Sequence, residues 1–145
     1  MSQTSQSFER HAKMVPLYHY WGTSFLLIPT LYFAYVAVTD FSLASVLMLV
    51  FAIGVNITGL FGRLFALGVQ DRVIRLEERL RLERLLPDEL RGRIEDVTTD
   101  QLIGLRFASD GELVDLTRRV LDGEFADRKS IKRAVKQWRP DHQRI

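Results

Sequence analysis

The chain has 145 residues, 20 Lys+Arg against 18 Asp+Glu for a formal net charge of +2, and no cysteine. The missing thiol excludes a disulfide framework, a thiolate zinc site and a cysteine nucleophile, and suits a cytoplasmic face. The near balance of charge conceals a division: apart from Glu9, Arg10, Lys13 and Asp40, every Asp, Glu, Lys and Arg lies beyond Gly62.

Residues 1–16 read as a short cytoplasmic segment. It is expected to be retained, because the apolar stretch that follows is too long for a signal peptide and leads straight into a second one. Residues 14–62 carry a single formal charge, Asp40. A bilayer core of roughly 30 Å takes about 20 apolar helical residues, so 17–62 reads as a transmembrane helical hairpin with spans at about 17–38 and 41–62 and Thr39, Asp40, Phe41 and Ser42 in the turn. Tyr18, Tyr20, Trp21 and Tyr35 suit the two interfaces, and Pro29 predicts a kink by removing one backbone hydrogen bond. Arg10 and Lys13 precede the first span, and Arg63, Arg72 and Arg75 follow the second. Basic residues favour the cytoplasmic side, so both termini are expected inside and Asp40 outside.

In the second span Gly54, Thr58 and Gly62 are four apart and form one small-residue stripe. Such a stripe admits a close helix, here expected to be the first span, with a dimer seam or a larger partner as the alternatives. Asn56 is the amide deep in the apolar region and predicts a helix-to-helix hydrogen bond.

The pattern stays helical to Leu86, so the second span is expected to run on past Arg63 with at most a bend near Gly68. Val69, Val73, Leu76 and Leu80 follow the four-three spacing of a helix seam, with Asp71 and Arg75, and Glu77 and Arg81, as i,i+4 pairs on the exposed face. Pro87 ends that helix and opens the next, with Asp88 and Glu89 favourable at its N-terminus. Thr98 with Gln101 and Ser109 with Glu112 have capping-box spacing and mark starts near 99 and 110. Gly123 is placed to stop the second of these helices, and a final helix is predicted over 127–138, ahead of Pro140. Residues 63–145 therefore read as an amphipathic helix and a small helical cytoplasmic domain, and the fold class is all-α.

Residues 63–84 carry six bases and four acids, 85–127 five and eleven, and 128–145 seven and one. Arg128, Lys129, Lys132, Arg133 and Lys136 form a basic face that can pack across the acidic middle segment or lie on anionic lipid headgroups. No aromatic residues interleave with it and no recognition motif surrounds it, so nucleic acid is not an expected partner.

No phosphate loop, His-Glu-x-x-His or calcium-loop spacing is present, and the carboxylates fall at helix starts and exposed positions. An enzyme is not predicted, no metal site is assigned, and no cofactor is expected. His19, among Tyr18, Tyr20 and Trp21 at the edge of the first span, is the candidate ligand should a haem or chlorophyll-type pigment bind.

Three stretches carry a resemblance. They are Gln6-x-Phe8-x-x-His11 leading to Pro16-x-Tyr18-His19, then Leu105-Arg106-Phe107-Ala108-Ser109-Asp110-Gly111-Glu112-Leu113, and Ile131-Lys132 leading to Trp138-Arg139-Pro140-Asp141-His142. Together they resemble a family of small uncharacterised bacterial inner-membrane proteins with a two-span hairpin and a helical cytoplasmic tail. The resemblance implies that location and topology and supplies no activity. It draws attention to Trp138, Arg139, Asp141 and His142, expected either to tether the tail, with Trp138 in its core and Arg139 or Asp141 in ion pairs, or to dock another protein. The sequence thus points to a non-enzymatic accessory or scaffold subunit of a respiratory or photosynthetic membrane complex. Its expected partners are lipid and other subunits; a self-associating membrane protein is the alternative.

Overall fold

The computed structural model describes residues 15–125 and 127–141. Gln6, Phe8, Arg10, His11, Lys13 and His142 lie outside them. All regular elements are helical, and an isolated antiparallel bridge between Ala108 and Trp138 is the sole extended pairing among the described residues. The chain divides into two compact units, one within Lys13–Leu67 and the other within Gly68–Ile145.

In the first unit a wide π-helical segment, Leu17–Gly22, leads into α1, Thr23–Thr39. The sequence predicted ordinary helix there. Thr23 Oγ1 donates to the His19 carbonyl at 2.6 Å where the wide turns end. Pro29 lies inside α1, which runs unbroken around it. α2, Leu43–Leu85, begins two residues later than expected because Ser42 and Ser45 cap its start reciprocally: the Ser45 amide donates to Ser42 Oγ at 3.1 Å and the Ser42 amide to Ser45 Oγ at 3.0 Å. The continuous helix Leu17–Thr39, π-helical segment and α1 together, and α2 are each long and apolar enough to cross a membrane. Most of their large side chains, among them Phe25, Leu31, Tyr35, Phe51 and Leu60, are exposed.

α2 is a single helix past Arg63 and Gly68, as the pattern predicts. In the second unit the face of α2 that packs is set by Ile74, Glu78, Arg81 and Leu82, with Leu86 just past its end, all buried. Val69, Val73, Leu76 and Leu80, which have the spacing of a helix seam, are instead exposed. Short helices follow: α3, Asp88–Arg91, a 3-10 turn at Ile94–Asp96, α4, Thr99–Leu105, α5, Asp110–Leu121, and α6, Arg128–Ala134. They close over one core that joins Leu82, Leu86, Leu102, Leu105, Leu113, Leu116, Val120 and Ile131, with Trp138 packed at its edge.

The local signals explain most boundaries. Thr98 and Gln101 form the predicted capping box. Gly123, at φ +80°, ends α5 with the Gly123 amide on the Val120 carbonyl and the Glu124 amide on the Arg119 carbonyl, the paired bonds of a Schellman stop. Ser109, however, does not cap α5, because its hydroxyl meets Gln137 at 3.1 Å. Glu112 is taken as well: its carboxylate accepts from the amides of Lys136 and Gln137, each at 3.0 Å. Those two bonds also explain why α6 stops at Ala134 and not near Trp138. Val135 turns to an extended conformation, and residues 135–139 run beside α5's start, with the Ser109 amide on the Gln137 carbonyl and the Arg139 amide on the Phe107 carbonyl.

Candidate functional site

In the first unit Asn56 is the polar contact between helices. Its side-chain amide donates to Thr30 Oγ1 at 2.8 Å, to the Leu26 carbonyl at 3.3 Å and to its own helix at Ala52. Thr30 Oγ1 in turn donates to the Leu26 carbonyl at 2.7 Å, so the Asn56 amide and the Thr30 hydroxyl both have partners. The neighbouring close contact is made by Gly59, where an added Cβ would lie 3.7 Å from Leu26 Cδ1. Gly54 and Gly62 have nothing within 4 Å of the same position. The small-residue stripe thus does not receive α1, contrary to the sequence expectation: Asn56 and Gly59 project on the other side of α2, and one helix has room for one such neighbour there. Thr58 bonds only back to the Gly54 carbonyl, at 2.9 Å.

His19 lies in the π-helical segment, with Nδ1 3.1 Å from the Val15 amide nitrogen and 3.0 Å from the Val15 carbonyl oxygen. Nδ1 is thereby committed to local backbone, and Nε2 is the atom left to meet a ligand. Among the described residues no three His, Asp or Glu side chains are grouped to hold a metal ion.

The second unit contains a cavity of about 680 Å³ lined by Glu78, Arg81, Arg84, Arg106, Arg139 and Asp141 together with neighbouring side chains. Arg81 is its organising residue. It is buried, donates from Nη1 to Glu78 at 3.0 Å and from Nη2 to the Ala108 carbonyl at 2.7 Å, and grips Asp110 through Nε and Nη2 at 2.8 and 2.6 Å. The i,i+4 pairing of Arg81 with Glu77 read from the sequence is therefore replaced by a buried network. Glu78 sits between two guanidiniums, with Arg139 Nη1 3.5 Å away. Its burial outweighs both cations and pushes its carboxyl above the ordinary 4.5. The hydrogen bonds from Arg81 hold the more open Asp110 below its ordinary 3.8.

The Trp138 to Asp141 stretch threads through the same region. The Trp138 ring lies 4.9 Å from that of Phe107, Arg139 reaches Glu78, and Asp141 pairs with the buried Arg106 at 3.3 Å. The fully buried Phe107 ring also faces Arg106 Cζ at 4.6 Å and Lys132 Nζ at 4.9 Å, two cation-π contacts. Lys132 is accordingly withdrawn from the basic face that the sequence grouped with Arg128, Lys129, Arg133 and Lys136. Arg128 is tied to Asp100 of the acidic segment, its Nε at 3.1 Å and its backbone amide at 2.7 Å. Lys129, Arg133 and Lys136 remain exposed, the last beyond the end of α6. Arginines and carboxylates in the cavity are largely turned on one another, an arrangement suited to fixing elements in place more than to moving a proton or an electron pair.

The residues reasoning from sequence missed are Glu78, Arg81, Arg106 and Gly104. An added Cβ on Gly104 would lie 2.9 Å from Ile131 Cβ and 3.2 Å from Arg128 Cα, so α4 and α6 meet backbone to backbone at that point. A glycine inside a seven-residue apolar helix was the available signal.

The whole chain, residues 1–145, matches a family described as "Family of unknown function (DUF6526)". The protein belongs to that family. No curated protein and no solved structure matches it.

Proposed function

We propose that this DUF6526 protein is a non-enzymatic integral membrane protein of a bacterial inner membrane, an accessory or scaffold subunit whose partners are lipid and other protein subunits. The observation that carries the reading is the exposure of most large apolar side chains on α1 and on α2 before Arg63, beside an Asn56 satisfied by α1. Surface of that kind is costly in water and ordinary in lipid. Leu26 and Thr30 of α1 meet Gly59 and Asn56 of α2, and Tyr18 lies 5.9 Å from Arg63 Cζ. Early α1 residues thus pair with late α2 ones, which supports an antiparallel hairpin. The residues of α2 ahead of Arg63 already suffice for a bilayer core of roughly 30 Å, so its charged stretch from Arg63 falls outside that core. The bases at that end support a cytoplasmic location for both termini. The test is alkaline extraction of membranes combined with a reporter, active only in the cytoplasm, fused after Ile145. Retention in the pellet and an active fusion are expected; release into the wash or a silent fusion overturns the reading.

A further inference from the structure

We infer that Val69, Val73, Leu76 and Leu80 form a docking face whose occupant is the same face of a second copy of this chain, laid parallel and in register. The inference rests on the membrane anchoring proposed above. These four side chains are 62%, 48%, 61% and 56% exposed, although they lie in the charged half of α2, where such a stripe calls for a partner. Their own domain does not cover them, because it packs on Ile74, Glu78, Arg81 and Leu82, around the other side of the helix. Their spacing of four, three and four is that of d and a positions in a coiled coil.

Charge identifies the partner and its direction. With Val69 and Leu76 at d and Val73 and Leu80 at a, the flanking positions are Arg72 and Arg79 at g and Glu77 and Arg84 at e. In a parallel pair, g faces the e position five residues on in the other helix. Arg72 of each copy then meets Glu77 of the other, twice by symmetry. Both side chains are exposed, and neither has a hydrogen bond or ion pair among the described residues. Arg79, which would face Arg84, is already neutralised by Glu95, with Nη2 to Oε2 at 2.8 Å. An antiparallel pair would set g against g, Arg72 against Arg79, with no carboxylate across from Arg72. The seam is two heptads long, too short to associate from dilute solution. Two copies anchored in one membrane share an orientation and a raised effective concentration, which supplies what length does not.

The absence of cysteine allows a direct test in the full chain expressed in membranes. Under mild oxidation, Val73→Cys and Leu76→Cys are each expected to give a disulfide-linked species of twice the chain mass, whereas Arg75→Cys, exposed on the same helix but off the seam, is not. In the Leu76→Cys background, Arg72→Glu and Glu77→Arg should each lower the crosslinked fraction several-fold, and the double exchange should restore it. Absence of dimer at both 73 and 76, equal yield at 75, or an adduct to a different protein overturns the proposal. Alkaline extraction of the same variants separates the two readings. Membrane-bound chains that fail to crosslink remove the seam and leave the anchoring, and crosslinked chains released into the wash remove the anchoring.

Discussion

Arg81 and Asp110, 29 residues apart, are joined by two hydrogen bonds, and a third from the same guanidinium reaches the Ala108 carbonyl. This fastens the end of α2 to the start of α5 from the side, at the edge of the core. The geometry is one only arginine's fork can make, since lysine offers a point charge in place of paired donors.

Arg81→Met should therefore destabilise the tail by about 3–5 kcal/mol, because it leaves Glu78 buried without its nearest cation. Arg81→Lys should recover little of the loss. Glu95→Gln, which removes an exposed partner of Arg79, should cost less than about 1 kcal/mol. Urea titration of the full chain in micelles, followed by Trp138 fluorescence in a Trp21→Phe background, measures all three.

The same network predicts two opposite pH dependences. Glu78 titrates above its ordinary 4.5 when folded, so the folded state holds that proton longer and stability falls as pH rises from 4.5 through the raised value. Asp110 titrates below 3.8 when folded, so its contribution is complete above 3.8 and disappears as pH falls through the lowered value. Glu78→Gln should flatten the stability profile just above 4.5, and Asp110→Asn should alter it chiefly below 3.8. A pH series of urea midpoints checks both; an unchanged slope above 4.5 in Glu78→Gln would contradict the assignment.

Gly104→Ala should cost about 1–3 kcal/mol, because the new methyl meets Ile131 and the Arg128 backbone and α4 cannot move from α6 without opening the core. Gly92→Ala has open space around it and should raise stability by about 0.4–1 kcal/mol. The contrast between the two thermal midpoints is the measurement.

Asn56→Leu should weaken the α1 to α2 contact by the modest amount typical of such bonds in lipid, about 0.6 and at most roughly 1.7 kcal/mol. A double-mutant cycle with Thr30→Val, read by reversible unfolding in mixed micelles, should show coupling of that size. Additive losses would mean that the 2.8 Å bond contributes nothing to the pairing.

What was legible in the sequence was what depends on near neighbours. The two apolar helices, the Thr98 box, the Gly123 stop and the helix-to-helix role of Asn56 each follow from residues within a turn or from the solvent that a long apolar run requires. What was not legible depends on distant residues. Val69, Val73, Leu76 and Leu80 have the better hydrophobic period, yet the packed face of α2 includes Glu78 and Arg81, whose burial is possible only because Ala108, Asp110 and Arg139 arrive to satisfy them. Ser109 and Glu112 have capping-box spacing, but both side chains are claimed by Gln137 and Lys136 from beyond α6. Lys132 has the sequence setting of a surface base, but its Nζ lies over the Phe107 ring.

The pairing of Ala108 with Trp138, and of Glu78 with Arg139, sets an order on the birth of this protein. α2 and the acidic helices leave the ribosome first, carrying a half-built core with Leu82, Leu102 and Leu113 uncovered. Nothing before Ile131 can seal it, and only the stretch that follows brings the second cation to Glu78. A nascent chain stalled short of that stretch is expected to present an uncovered apolar surface to chaperones and proteases, so residues 131–139 complete the core that α2 begins.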